Sequence, residues 1–137
     1  MYLLHGKNIT CGYDTVDILS ECTVGVKKGE IASIVGPNGA GKSTAMKSIF
    51  GLLKIRLGKI FLDNEDITNL LPQERVLKGM GYVPQTNNIF PTLSVQENLE
   101  MGAFIQHEDF SDILDYVYDL FPVLKEKRNQ QAGELSG

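Results

Sequence analysis

Polar and apolar positions fall along this chain in short segments with distinct periods. Residues 2 to 11 and 16 to 26 carry β-branched and apolar residues on either side of Gly12-Tyr13-Asp14, which predicts two antiparallel strands joined by a turn. Lys27-Lys28-Gly29-Glu30 then leads into Ile31-Ala32-Ser33-Ile34-Val35, a continuous apolar run that predicts a buried parallel strand. Beyond it, Ala45, Met46, Ile49, Phe50, Leu52 and Leu53 recur at helical spacing, with Gly51 the weak helix former among them. Lys59 to Leu62 predicts a short strand, followed by an acidic turn over Asp63-Asn64-Glu65-Asp66 and a short helix near Pro72 to Leu77. Met80-Gly81-Tyr82-Val83-Pro84 reads as another strand, stopped by its proline and followed by the polar turn Gln85-Thr86-Asn87-Asn88. Ser94-Val95-Gln96-Glu97 has capping-box spacing and should open a helix running to about Phe104. Phe110, Ile113, Leu114, Val117 and Phe121 predict one more amphipathic helix, with Asp112, Asp115 and Asp119 on its wet side and Pro122 interrupting it.

Between the apolar run and the first helical pattern lies Gly36-Pro37-Asn38-Gly39-Ala40-Gly41-Lys42-Ser43-Thr44, which meets the phosphate-loop pattern G-x-x-x-x-G-K-[ST] at every fixed position. Strand, glycine-rich loop and helix follow in the order the chemistry needs. Backbone N–H groups from Asn38 to Ser43 can then line one concavity, and the helix N-terminus adds partial positive charge. Gly39 and Gly41 admit a phosphate close to the main chain. Lys42 is expected to reach the β- and γ-phosphates, Ser43 to offer its hydroxyl to Mg²⁺, and Thr44 to add a phosphate contact.

Composition narrows the remaining possibilities. The 137 residues make one domain's worth of chain, and 42% hydrophobic content suffices for a core. A net charge of -4 gives no electrostatic case for nucleic acid as the main partner. Acidic residues gather at Asp63 to Asp66 and Glu108 to Asp119, where they read as solvated surface. Cys11 and Cys22 are too far apart for a C-x-x-C motif and read as reduced thiols. No stretch approaches the roughly eighteen apolar residues of a membrane span, so a membrane role would be peripheral. The sequence has no internal repeat and no low-complexity tract.

Four separated features together resemble the nucleotide-binding subunit of ABC transporters, and the resemblance spans nearly the whole chain. They are Tyr13 ahead of the phosphate loop, the loop itself, Gln85 in Tyr82-Val83-Pro84-Gln85, and Leu135-Ser136-Gly137, which looks like the start of the family's signature sequence. The resemblance implies an α/β fold of the ABC-type P-loop NTPases, a mixed sheet with N-terminal antiparallel strands plus a helical subdomain. It implies a single partial domain, with a nucleotide-binding core over 1–84 and a Q-loop and helical subdomain over 85–137, incomplete at its C-terminus. ATP and Mg²⁺ are the implied ligands. Gly36, Asn38, Gly39, Ala40, Gly41, Lys42, Ser43 and Thr44 would hold the phosphates, and Tyr13 would stack on adenine. Lys42 and Gln85 would carry catalysis, with Ser43 and Gln85 as the metal donors. Ser136 would contact the γ-phosphate bound to the other subunit of a head-to-tail dimer of like or unlike chains.

The family's catalytic glutamate and switch histidine have no counterpart here, since His5 and His107 lie in the wrong places. Hydrolysis by this segment alone is therefore not expected, because residues that position water are missing. Within the family, Asp66 to Leu70, Ile89 to Leu99 and Glu100 to Phe104 look like the ATP-binding subunits of branched-chain amino-acid importers, with urea importers and lipopolysaccharide exporters similar in the same region. Transmembrane permease subunits would then be partners through the Q-loop region, and the protein would sit on the cytoplasmic face of the cell membrane. A soluble ABC-type ATPase of DNA repair or of the ribosome is a second reading, as is a non-hydrolysing nucleotide-binding module. The long coiled coil of DNA-maintenance members is absent between Gln85 and Leu135.

Overall fold

The computed structural model describes residues 1–105 and 109–135. The chain forms two compact units, Met1–Gly81 and Tyr82–Gly137.

The first unit is built on a four-stranded sheet of order β2-β1-β3-β4, made of β1 (Leu4–Tyr13), β2 (Val16–Val26), β3 (Leu57–Leu62) and β4 (Glu65–Asp66). Every pairing in it is antiparallel. The predicted hairpin forms with its turn two residues later than expected: Tyr13 pairs with Val16 across Asp14-Thr15, and Asp14 takes the positive φ of 48°. Register shifts interrupt β1 between Gly6 and Gly12, and side chains fill the resulting gaps in the ladder. The Asn8 N–H donates to the Thr23 hydroxyl at 3.0 Å, and the Glu21 N–H donates to the Thr10 hydroxyl at 3.1 Å. The acidic turn is shorter than expected, because Glu65 and Asp66 return as a strand that pairs with Leu62 and Phe61.

Helix α1 (Lys42–Phe50) lies on this sheet. Its buried Ala45 and Ile49 join Ile9, Cys11, Leu19, Ile60 and Ile67 in a single core, each large aliphatic side chain contributing about 1.5–3 kcal/mol when fully buried. Gly51 ends the helix in the left-handed conformation, so Leu52 and Leu53 lie beyond it rather than on its apolar face. Burial pushes the Cys11 thiol up, and both cysteines are free, as their spacing suggested. The short α2 (Pro72–Leu77) starts at its proline.

Two expected strands are not formed. Residues 31–35 carry no regular secondary structure, and Ile31 and Val35 are 98% and 86% exposed. Residues 80–84 are likewise irregular, with Val83 82% exposed. A parallel strand exists only where a neighbouring strand takes its hydrogen bonds, and among the described residues none pairs with either segment.

The second unit is helical, with α3 (Val95–Gly102), α4 (Ser111–Leu120) and α5 (Pro122–Glu126). The predicted capping box is present: the Ser94 hydroxyl accepts from the Glu97 N–H at 3.1 Å, and the Glu97 carboxylate accepts from the Ser94 N–H at 2.7 Å. Pro122 ends the continuity of α4 and also opens α5. The face α4 buries is turned from the predicted one, since Tyr118 is its buried residue while Ile113 and Phe121 are exposed. The chain then returns alongside the start of α3, where Val95 and Gln96 donate to the carbonyls of Gln130 and Arg128 and Ala132 donates to that of Leu93.

Candidate functional site

The loop between Gly36 and Gly41 closes on itself through a bond from the Ala40 N–H to the Pro37 carbonyl at 3.2 Å. It enters α1 at Gly41, whose φ of 85° is left-handed. Two constraints require glycine there. A side chain would be strained at that φ, and its Cβ would lie 2.7 Å from Leu19 Cδ2 on β2. The sequence assigned Gly41 to phosphate approach alone; the structure adds close packing of the loop on the sheet. Gly39 is also left-handed, with nothing near its Cα to meet.

The first hydrogen bond of the helix runs from the Ala45 N–H to the Gly41 carbonyl at 2.9 Å. The N–H groups of Lys42, Ser43 and Thr44 precede it, and no side chain caps them. The Lys42 ammonium donates to the carbonyls of Gly36 and Pro37, both at 2.7 Å. A cation, three uncapped helix-end N–H groups and the helix's partial charge therefore belong to one short stretch of loop and helix, a chemistry that suits a polyanion. Ser43 is exposed, whereas the Thr44 side chain is 6% exposed and packed inward. Gly36, Asn38 and Ala40 complete the loop and are exposed.

Tyr13 stands at the end of β1 with its ring half exposed, and the Lys47 ammonium of α1 is 6.0 Å from the ring centroid. The helix that carries the loop thus also flanks this aromatic platform. Arg56 pins the hairpin tip beside it, pairing with Asp17 and donating to the Asp14 carbonyl. Neither Lys47 nor Arg56 was legible as a site neighbour, because both contacts depend on how β1, α1 and the approach to β3 come together. Gln85 is exposed in a bend of the second unit. Ser136 lies outside the described residues, as does His107.

Mg²⁺ keeps several waters and binds mainly through substrate phosphates, so it needs few protein donors. The exposed Ser43 hydroxyl, one residue inside the helix, fits that requirement. Among the described residues no cluster of three or more His, Cys, Asp or Glu is arranged for a metal.

The sequence model of the ABC transporter family matches residues 19–137, including the whole of the loop and α1. The chain belongs to the ABC transporter family. It is 41% identical over 136 residues to a probable branched-chain amino acid transport ATP-binding protein, LivF, of Archaeoglobus fulgidus, covering 98% of this chain and 58% of that protein. It is 35% identical to the lipopolysaccharide export system ATP-binding protein LptB of Haemophilus influenzae, covering 98% of this chain and 50% of that one. The chain thus spans between half and three fifths of the length of these relatives. Among solved structures, the ADP conformation of an ATP-binding cassette of an ABC transporter superposes with a TM-score of 0.78 at 32% identity, covering 100% of this chain and 60% of that one. A dimeric bacterial ABC transporter cassette superposes with a TM-score of 0.76 at 27% identity, covering 98% and 63%. The fold is that of the ABC-type ATPases, α/β with antiparallel strands at the N-terminus. Among the described residues, no helix is long and apolar enough to cross a membrane.

Proposed function

We propose that this chain is the nucleotide-binding part of an energy-coupling ABC subunit whose full-length form binds and hydrolyses ATP to drive import of branched-chain amino acids. The observation that carries the nucleotide reading is the convergence of the Lys42 ammonium with the carbonyls of Gly36 and Pro37 at the open end of α1. Phosphate oxygens carry formal negative charge where the carbonyl oxygens carry only partial charge, so the Lys42 ammonium exchanges those carbonyls for phosphate. The N–H groups of Lys42, Ser43 and Thr44 hold the phosphates end-on, and Tyr13 stacks on the base. Ser43 and Gln85 supply the protein's oxygen donors to Mg²⁺, which when bound neutralises charge on the phosphates. Ser136 contacts the nucleotide of a second subunit in a head-to-tail dimer. Permease subunits dock on the Q-loop side, which keeps the protein at the cytoplasmic face of the membrane. The substrate class is supported by the likeness to the Archaeoglobus protein over almost the whole chain.

In the full-length protein, Lys42→Ala is expected to weaken binding of a fluorescent ATP analogue by about 10- to 100-fold, the loss of a charged hydrogen bond. Unchanged binding would refute the site. Proteoliposomes holding the full-length protein and its permease partners are expected to take up leucine only with ATP inside the coupling compartment. ATP turnover without leucine uptake would keep the ATPase and remove the substrate assignment, in favour of another cargo such as that of the lipopolysaccharide exporters.

A further inference from the structure

The first unit contains one charge where a charge is costly. Arg75, on α2, is 1% exposed, and among the described residues no carboxylate pairs with it. Its guanidinium is spent entirely on main-chain carbonyls. Nε donates to Leu70 at 3.0 Å and Nη2 to Thr68 at 3.0 Å. Nη1 donates to Ser48 at 3.4 Å and, more closely, to Ile49. Ser48 and Ile49 belong to the last turn of α1, the helix whose other end forms the phosphate site.

We propose that Arg75 is a positioning residue for nucleotide binding, fixing the direction in which the N-terminus of α1 points by holding its C-terminal carbonyls to the Thr68–Leu70 segment. The inference rests on the ATP-binding reading above. Three physical points support it. First, the last carbonyls of a helix lack intrahelical partners and carry partial negative charge, so a cation there is both bonded and electrostatically favoured. Second, a planar fork reaches several acceptors in fixed directions, which a lysine ammonium cannot reproduce. Third, the junction admits no slack: a Cβ at Gly51, the left-handed cap of α1, would lie 2.9 Å from Arg75 Nε. A nine-residue helix is about 13 Å long, so a tilt of about 5° at the held end moves the loop by about 1 Å. Misplacements of that size lengthen and bend the charge-assisted hydrogen bonds that Lys42 and the helix-end N–H groups would make to phosphate, and so weaken binding.

The test uses the full-length protein, a fluorescent ATP analogue and three variants, each measured well below its own melting temperature. Arg75→Lys is expected to weaken nucleotide binding about tenfold, the effect of weakening one charged hydrogen bond to phosphate, with unchanged far-ultraviolet circular dichroism, and Arg75→Met more. Ile60→Val, a conservative truncation in the same core that removes none of the Arg75 hydrogen bonds, provides a variant that lowers melting temperature while keeping nucleotide affinity. If Arg75→Met fails to fold, Arg75→Lys still decides. Unchanged affinity in Arg75→Lys with a lowered melting temperature would assign Arg75 to stability alone and overturn the proposal. So would an equal loss of affinity in Ile60→Val. Failure of the parent to bind the analogue would overturn the nucleotide reading itself, and this inference with it.

Discussion

At the scale of single residues, the phosphate loop is seated on β2 at Gly41. Gly41→Ala places a methyl group against Leu19 in a backbone conformation that L-residues avoid, and it is expected to destabilise the first unit by about 2–4 kcal/mol. Urea denaturation of the full-length protein checks this, and a loss below experimental error would mean the loop is not seated on β2. Asp66 offers a pH test. The Thr68 hydroxyl, and then Lys59, lower its pKa from 3.8 to about 2. Because the folded value is depressed, the stabilisation is complete above 3.8 and drains away as pH falls toward about 2. Asp66→Asn is expected to flatten the melting-temperature profile across that window and leave it parallel to the parent's at neutral pH. The glycine-lysine loop was legible because its chemistry is local, every member lying within nine consecutive positions. Arg75 was not, since its partners Ser48 and Ile49 lie 27 and 26 residues away and no sequence pattern marks an arginine that will bind only carbonyls.

Elements were read most reliably where they carry their own boundary signals. Pro72 and the Ser94-Glu97 box start α2 and α3 where the sequence placed them, and Asp14 turns the hairpin within two residues of the expected position. Ser94→Ala removes one half of the box and is expected to cost about 1 kcal/mol in the second unit. Thermal melts followed at a helical wavelength measure it, and Ser94→Asp, which restores a capping oxygen, is expected to recover most of the loss. An Ala variant as stable as the parent would show that packing of Val95, not the cap, sets where α3 begins. Strands 31–35 and 80–84 were misread for the opposite reason. Their apolar runs are real, but a strand is defined by its neighbour, and hydrophobic period carries no information about which segment supplies one.

For the molecule as a whole, those same runs leave apolar side chains in water. Ile31, Val35 and Val83 are each more than four-fifths exposed, a condition that favours association through unpaired main chain and apolar surface. The 137-residue chain expressed alone is expected to enhance the fluorescence of a hydrophobic dye and to self-associate in sedimentation velocity. Ile31→Lys combined with Val35→Lys should reduce both signals. A dye-silent monomer would show that other contacts cover these residues.

The Asn98 side chain holds the turn that precedes α3. It accepts from the Phe90 N–H at 2.7 Å and donates to the carbonyls of Phe90 and Ser94, at 3.0 and 2.9 Å, and more weakly to that of Leu93. All of these contacts are to main-chain atoms, so the curve of residues 89–93 is set without reference to which side chains it displays. Shape and display are thereby uncoupled. Ile89 and Phe90, both about half exposed, can be exchanged by mutation while the ribbon beneath them stays put, which gives a lineage a way to change what this loop touches without rebuilding it.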